Sequence, residues 1–167
     1  MEYRRLGNSS VKVTPIAFGA WAIGGWMWGG AEEKEAVKAI RASVDEGITT
    51  IDTAPIYGFG KSEELVGQAL AGIQRDRYQI LTKYGMNWHN DKGEYYFDST
   101  DNGGNPLKIY KYSAKDSVIK ECEDSLRRLK TDYVDLFQIH WPDATTPIGE
   151  TMEAVAKLIE QGKVRAA

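Results

Sequence analysis

The chain has 167 residues, of which 42% are hydrophobic and 27% are charged, and its formal net charge is −3. This length and composition are typical of one folded domain with a sizeable core, and they exclude a disordered polar chain. The small negative charge gives no general attraction to nucleic acid or to an anionic membrane, so we expect neither as a partner.

Cysteine usage and the apolar pattern bear on the compartment. Cys122 is the single cysteine, so no intrachain disulfide can form, which suits a reducing environment. Residues 1–5 are not followed by the apolar run of a secretory signal, and no apolar stretch approaches the ~18 residues that would predict a membrane span. We therefore expect a cytoplasmic protein.

The first fifty residues predict a hairpin, a strand and a helix. Residues 3–6 and 11–13 are short apolar-containing runs on either side of a Gly-Asn-Ser-Ser turn, a pattern typical of a β-hairpin. Residues 15–19 form a compact apolar strand, and a glycine-rich loop follows it. Residues 32–46 carry apolar side chains at helical spacing and predict the first helix.

Three more strand–helix pairs follow. The predicted strands are residues 48–52, 78–83 and 133–140. The second predicted helix begins at Ser62, a plausible N-cap. The third follows Ser113–Asp116, which resembles a capping box. The fourth is marked by the apolar positions Met152, Val155, Leu158 and Ile159. Residues 163–167 then predict the start of a fifth strand.

Residues 84–112 interrupt this regular pattern. The segment is polar and aromatic, with Asn, Gly and Asp throughout. We predict a long loop here, and a loop of this length inside a compact domain is usually functional or mobile.

The alternation of strands and helices predicts the fold class. Four βα units in strict order, with the start of a fifth, indicate an α/β protein with a parallel sheet and helices packed on it. Four units are half of a (βα)8 TIM barrel, whose usual length is ~250 residues. We therefore expect residues 1–167 to form one truncated domain, a half-barrel preceded by an amino-terminal hairpin.

Ionisable residues stand at the ends of three successive predicted strands. Asp52 ends the second strand and Tyr57 lies five positions on, while Lys83 and His140 end the third and fourth strands. Because the carboxyl ends of parallel strands meet on one face of a barrel, we expect these side chains to share a pocket. Taken singly, each also fits a structural role, as a loop aromatic, a turn cap, a surface lysine or a strand-end histidine.

Together the four residues suit proton transfer to an oxygen atom. A free tyrosine has a pKa of about 10 and is a poor proton donor at neutral pH, but a nearby ammonium favours the phenolate. An aspartate can hold that ammonium in place, and a histidine can donate a hydrogen bond to the oxygen being reduced. Such a donor accelerates reactions by ~10²–10⁴-fold when it is well placed.

Several longer motifs are spread over nearly the whole length of the chain. The two longest are Asp52-Thr53-Ala54-Pro55-Ile56-Tyr57-Gly58 and Gly60-Lys61-Ser62-Glu63-Glu64-Leu65-Val66-Gly67. The others are Phe18-Gly19-Ala20-Trp21, Leu81-Thr82-Lys83, Ser125-Leu126, Asp132-Tyr133-Val134-Asp135-Leu136 and Gln138-Ile139-His140-Trp141-Pro142. In these motifs the chain resembles the aldo-keto reductase superfamily.

The resemblance implies a chemistry and a role for each residue of the quartet. Members of the superfamily transfer a hydride from NADPH to an aldehyde or ketone, so the implied substrate is a small carbonyl compound. By resemblance, Tyr57 is the general acid, Lys83 tunes it, Asp52 pairs with Lys83, and His140 orients the carbonyl. No metal is implied.

The resemblance also implies where the ligands lie. The NADP(H) cofactor would contact Gly19, Ala20, Trp21 and Asp52 at its nicotinamide end. Trp21, Trp88 and Trp141 would wall the substrate pocket, although each of these tryptophans also fits a role in loop packing.

The resemblance has one clear departure. A complete family member has eight βα units, and its loops after strands five, seven and eight supply most of the contacts to the cofactor. We therefore expect little or no NADPH binding by this chain alone, and weak or no activity unless it assembles. One alternative is a non-catalytic half-barrel that forms a homodimer or pairs with a separate carboxyl-terminal half. Another is a regulatory barrel, such as a channel-associated subunit of the same superfamily.

Overall fold

The computed structural model describes residues 2–167. Its central element is a parallel sheet of four strands, β3 (Ala17–Gly19), β4 (Thr50–Asp52), β5 (Gln79–Tyr84) and β9 (Leu136–Ile139). The strands lie side by side in that order. The helices are α1 (Glu33–Asp45), α2 (Lys61–Leu70), α3 (Lys115–Leu129) and α4 (Ile148–Glu160). The predicted alternation of parallel strands and helices is therefore confirmed for four βα units.

The main core lies between one face of this sheet and the helices. Ile51, Ile80 and Phe137, from three neighbouring strands, are fully buried there. Each helix contributes an apolar stripe with helical spacing, such as Ile40 and Val44 of α1. The alternating pleat turns the residues next to these core positions toward the opposite face of the sheet.

Two helices begin differently from the sequence prediction. The α2 helix begins at Lys61, with Gly60 at the N-cap in a left-handed conformation, so Ser62 lies inside the first turn and does not cap it. The α3 helix begins at Lys115 without a side-chain cap from its own sequence. The backbone amide of Lys115 donates to the Glu150 carboxylate of α4 at 3.1 Å. A hydrogen bond to α4, which is distant in sequence but packs against α3, thus takes the place of the predicted capping box.

The segment 84–112 differs from the predicted long loop because most of it is regular. It contains β6 (Met86–Asn87), β7 (Glu94–Thr100) and β8 (Pro106–Lys111), which pair antiparallel in the order β6-β8-β7. Strands β7 and β8 are joined by a tight turn, and Ile109 is fully buried. This sheet packs through a second apolar cluster against the loop that contains Ala54, Ile56 and Tyr57.

Short pairings flank the central sheet at both ends of the chain. Strands β1 (Arg4–Arg5) and β2 (Lys12–Val13) pair antiparallel, with Arg4 opposite Val13. Near the other end, Val164 forms a parallel bridge with Val134. The Phe137 amide of β9 also donates to the Ala166 carbonyl at 3.0 Å. Residues 163–166 thus begin to pair at the outer edge of β9.

A charged cluster stabilises the amino-terminal end of the sheet; we call its four residues, Arg75, Tyr133, Asp135 and Arg165, the Asp135 cluster. Asp135 is buried and accepts hydrogen bonds from Arg75 at 2.7 Å and from the Ile80 amide at 2.9 Å. Arg165 donates to its other carboxylate oxygen at 3.3 Å. Both guanidinium groups lie 3.8 Å from the centre of the Tyr133 ring, as cation–π pairs do.

None of the helices within residues 2–167 combines the length and the apolar character that crossing a membrane requires.

Candidate active site

The four residues singled out from the sequence meet at the carboxyl ends of the parallel strands. Asp52 is the last residue of β4, and Lys83 is the last but one of β5. His140 directly follows β9, and its backbone amide donates to the Tyr84 carbonyl at 2.9 Å. Tyr57 comes from the loop between β4 and α2. The parallel pairing of the strands brings residues distant in sequence to one place.

The Lys83 ammonium is the centre of the site. Its Nζ donates to both carboxylate oxygens of Asp52, at 3.0 and 2.9 Å, and to the Thr53 carbonyl at 3.0 Å. It also donates to the Tyr57 hydroxyl at 3.2 Å. The Lys83 side chain is 15% exposed and that of Asp52 is 32% exposed, so the pair lies at the edge of solvent. One cation thus links a carboxylate and a phenol oxygen.

Tyr57 is held by its loop and by aromatic neighbours. Only 8% of the residue is exposed, and its backbone amide donates to the Ala54 carbonyl at 3.1 Å. The Trp21 ring stacks on the phenol ring at 5.5 Å, with 16° between the two planes. The edge of the His140 imidazole faces the same ring at 5.7 Å. The hydroxyl is therefore fixed in direction beside Lys83.

His140 has an unusual electrostatic environment for a histidine. Burial, together with the positive charge of Lys83, lowers the pKa of His140 from 6.5 to about 4. At neutral pH the imidazole therefore carries no charge. A neutral imidazole still has one N–H group, so it can donate a hydrogen bond to an oxygen atom without competing as the proton donor.

The residues expected at the nicotinamide end of a cofactor lie beside the quartet. Gly19 pairs in register with Asp52, and the Ala20 amide donates to the Asp52 carbonyl at 2.9 Å. A Cβ added to Gly19 would meet no atom within 4 Å, so the backbone there borders open space. A flat ring can approach such a backbone closely. In this respect the residues present fit the group that the sequence resemblance implies.

Sequence reasoning missed the hydroxyl pair behind this backbone. The Ser62 hydroxyl donates to the Ala20 carbonyl at 2.7 Å and lies 2.9 Å from the Thr53 hydroxyl. Both residues are fully buried. The Thr53 carbonyl also accepts a hydrogen bond from Lys83. The pair of hydroxyls therefore connects the loop after β3 to the site. The signal in the sequence was the position of Ser62 next to an apolar helix face.

The three tryptophans predicted to wall a substrate pocket lie in different places. Trp21 lies directly on the Tyr57 ring and is 37% exposed. Trp141 is 47% exposed, and its ring packs 5.9 Å from that of Tyr96 in β7. Trp88 instead packs edge-on against Phe59 at 5.5 Å. Of the three, Trp21 stacks on a residue of the quartet, and Trp88 packs against the apolar cluster that includes Tyr57.

Two further tryptophans of the glycine-rich loop were not singled out from the sequence. Trp28 is 60% exposed and its ring meets that of Trp21 edge-on at 5.7 Å. Trp26 is buried, and its indole N–H donates to the Ser99 hydroxyl of β7 at 3.0 Å. The antiparallel sheet of residues 84–112 therefore contacts the loop that holds Trp21.

Within residues 2–167, no group of three or more His, Cys, Asp or Glu side chains is arranged to hold a metal ion.

Comparisons of the sequence and of the structure with known proteins both find aldo-keto reductases. The aldo-keto reductase YhdN of Bacillus subtilis is 42% identical over an alignment of 167 positions, which covers 99% of this chain and 46% of that protein. The glycerol dehydrogenase AKR11B4 from Gluconobacter oxydans superimposes with a TM-score of 0.80 at 42% identity, covering 98% of this chain and 46% of its own. An aldo-keto reductase from Klebsiella pneumoniae, solved in complex with NADPH, gives 0.69 at 37% identity, with coverage of 92% and 44%.

These relatives are longer than this chain, which spans about half the length of the proteins it matches. The sequence profile of the aldo/keto reductase family matches residues 15–167, which include every residue of the quartet. The chain therefore belongs to the aldo/keto reductase family.

Proposed function

We propose that this chain carries the proton-donating part of an NADPH-dependent reductase that converts aldehydes or ketones to alcohols. The observation that carries the proposal is the Lys83 ammonium, which bonds at once to the Asp52 carboxylate and to the Tyr57 hydroxyl. Family membership supports the oxidoreductase class.

In the proposed reaction Tyr57 is the general acid. Its phenolic proton passes to the carbonyl oxygen of the substrate as negative charge develops there during reduction. The Lys83 ammonium, 3.2 Å from the phenol oxygen, stabilises the phenolate that remains. Asp52 balances the charge of Lys83 and fixes its position through two hydrogen bonds.

His140 orients the substrate in this proposal. Its imidazole lies beside the Tyr57 ring and is neutral at physiological pH, because its pKa is lowered to about 4. Its N–H group can therefore donate to the carbonyl oxygen that receives the proton from Tyr57. Two donors then hold one oxygen, which fixes the direction of proton transfer.

We propose that Gly19, Ala20, Trp21 and Asp52 hold the nicotinamide end of the cofactor. The open space at Gly19 and the hydroxyl clamp on the Ala20 carbonyl support a rigid backbone edge there. When bound, NADP(H) supplies the hydride that the carbonyl carbon accepts. Trp21, Trp88 and Trp141 are the proposed walls for substrate; Trp21 and Trp141 are partly exposed, and Trp88 packs edge-on against Phe59.

Two single substitutions test the proton-transfer proposal. Tyr57→Phe removes the acid and keeps the ring, so we expect carbonyl reduction to fall by at least ~10²-fold while the fold is retained. Lys83→Met removes the ammonium and should have a similar effect. The measurement is NADPH oxidation with small aldehydes, and Tyr95→Phe, at an exposed position of β7, is the control. Activity that survived both changes would exclude this assignment.

A second candidate function is association without catalysis. One face of the sheet is covered by helices, whereas Leu81 and Leu136, paired in register on the other face, remain half-buried. Apolar residues in that setting favour contact with further structure. We propose that the sheet is half of a (βα)8 barrel, closed by a second copy of the chain or by a separate carboxyl-terminal half.

The assembly state and cofactor binding separate the two candidates. We expect a homodimer or higher oligomer by light scattering at micromolar concentration, and a monodisperse monomer would contradict association. We expect little quenching of tryptophan fluorescence when NADPH is added to the chain alone. Strong quenching would mean that the assembly completes a cofactor cleft and would favour the catalytic candidate.

A further inference from the structure

The turn between β7 and β8 reaches the two loops that flank the candidate active site. The Asn102 side-chain amide donates to the Gly24 carbonyl at 2.9 Å. The same nitrogen donates a longer, weaker bond to the Gly58 carbonyl at 3.4 Å. Gly24 belongs to the loop after β3, and Gly58 directly follows Tyr57. One amide group therefore joins three separate segments of the chain.

The turn itself holds Asn102 in a defined position. The Asp101 carboxylate accepts hydrogen bonds from the Gly103 amide at 2.8 Å and from the Asn105 amide at 2.9 Å. The Asn105 side chain donates to its other oxygen at 2.9 Å. These bonds lower the pKa of Asp101, the largest contribution coming from the Asn105 side chain. Hydrogen bonds within the turn therefore fix the position of the Asn102 amide independently of its contacts with the two loops.

The two loops touch each other through their backbones at this point. A Cβ added to Gly24 would lie 2.5 Å from the Tyr57 carbonyl oxygen, so only glycine fits. Gly58 has a φ of +68°, a left-handed conformation that glycine adopts without strain. A displacement of either loop is therefore passed directly to the peptide next to Tyr57.

A second contact between the same elements lies beside the first. The indole N–H of Trp26, two residues after Gly24, donates to Ser99 of β7 at 3.0 Å. Its ring stacks on that of Phe97 at 6.2 Å, with 14° between the planes. Trp21, three residues before Gly24, stacks on Tyr57. The β7–β8 hairpin thus holds the loop after β3, and this loop supplies the Trp21 ring that stacks on Tyr57.

We propose that Asn102 is a positioning residue for the reduction, because it fixes the backbone of Gly24 and Gly58 and thereby the direction of the Tyr57 hydroxyl. This inference rests on the proposed function. The hydrogen bonds of Asn102 go to the Gly24 and Gly58 carbonyls, so it acts through them. Its effect is expected on the chemical step and not on the fold.

The test compares three variants of the chain in its assembled form, with kcat and KM measured by NADPH oxidation. Asn102→Asp keeps the shape of the side chain and replaces the donor by an oxygen that repels both carbonyls. We expect kcat to fall by about tenfold or more, with KM changed much less, because misplacing an acid by a fraction of an ångström has effects of this order. Asn102→Gln keeps an amide donor and should recover most of kcat. Lys108→Ala, at an exposed position of β8 in the same hairpin, is the matched control and should leave kcat nearly unchanged.

The outcomes separate this proposal from the function on which it rests. Equal kcat values for Asn102→Asp and Lys108→Ala, or failure of Asn102→Gln to recover kcat, would overturn the positioning role. If the unaltered protein reduces no aldehyde or ketone, the proposed function fails. Hydrogen exchange then decides whether Asn102 holds the loops, since Asn102→Asp should accelerate exchange in residues 20–30 and 53–60. Unchanged exchange there would overturn the proposal by itself.

Discussion

Glu121 of α3 provides a sharp test of the electrostatics, because it is an acid with little access to solvent at its carboxylate. It accepts a hydrogen bond from the Gly85 amide at 2.9 Å and one from the Ser117 hydroxyl at 3.1 Å. Burial nevertheless dominates and raises the pKa of Glu121 from 4.5 to about 8. The Glu121→Gln substitution keeps the shape and the acceptor while removing the ionisable proton.

The sign of the pH dependence follows from the raised pKa of Glu121. Between pH 4.5 and about 8 the unfolded chain has lost this proton and the folded chain keeps it, so rising pH lowers stability. A tenfold change in an acid's dissociation constant is worth about 1.4 kcal/mol, which gives an upper bound of about 5 kcal/mol above pH 8. Part of the residue remains accessible to solvent, so the measured value should be smaller. Glu121→Gln should remove this penalty.

The assay is urea unfolding of the unaltered chain and of Glu121→Gln at about pH 5 and about pH 9. The variant should gain stability over the unaltered chain at the higher pH and little at the lower one. Glu123→Gln is the matched control on the same helix, because an exposed ion pair with Lys163 lowers the pKa of Glu123 instead. A stability difference for Glu121→Gln that did not change with pH would refute the reasoning.

Three further expectations concern packing, the Asp135 cluster and the histidine. Gly24→Ala places a methyl group 2.5 Å from the Tyr57 carbonyl oxygen and should cost about 1–3 kcal/mol in urea unfolding. Gly149→Ala, where an added Cβ meets nothing within 4 Å inside α4, should instead stabilise by up to about 1 kcal/mol, and equal effects would contradict the contact. Asp135→Asn leaves two arginines without their carboxylate, and we expect a loss of about 2 kcal/mol in the same assay; no loss would show the cluster to be dispensable. The His140 imidazole should titrate near pH 4 by NMR, and a midpoint near 6.5 would contradict its burial. Because its pKa is lowered in the folded state, its contribution to stability is present above pH 6.5 and is lost as the pH falls toward 4.

The sequence was sufficient for the parallel sheet and for the ionic centre of the site. Apolar runs alternating with helical stripes predicted β4, β5 and β9 with their helices, because burial on one face imposes those periods. The places of Asp52 and Lys83 at the ends of adjacent strands predicted a shared pocket, and the family resemblance implied the ion pair that the structure contains. These features depend on local pattern and on the common direction of the strands.

The antiparallel sheet in residues 84–112 was not predicted, and the reason is physical. Only one residue of its strands β7 and β8, Ile109, is buried, so these strands lack the long apolar alternation that marks a half-buried strand. Half of the glycine and asparagine residues that suggested an irregular loop, Asn102 to Asn105, belong to the turn between β7 and β8. An Asn-Gly-Gly turn between aromatic runs is a hairpin signal that could have been used. The contacts of Asn102 with Gly24 and Gly58 depend on tertiary structure and have no local signature.

The Asp135 cluster lies at the end of the sheet opposite to Tyr57, and this separation bears on how the protein can change. Residues that hold the strands together at one end are independent of the loops that would select a substrate at the other. Libraries that randomise exposed positions such as Trp28 and Trp141 should therefore yield mostly folded variants. Substrate preference can then diverge through those loops while the scaffold keeps its resistance to unfolding.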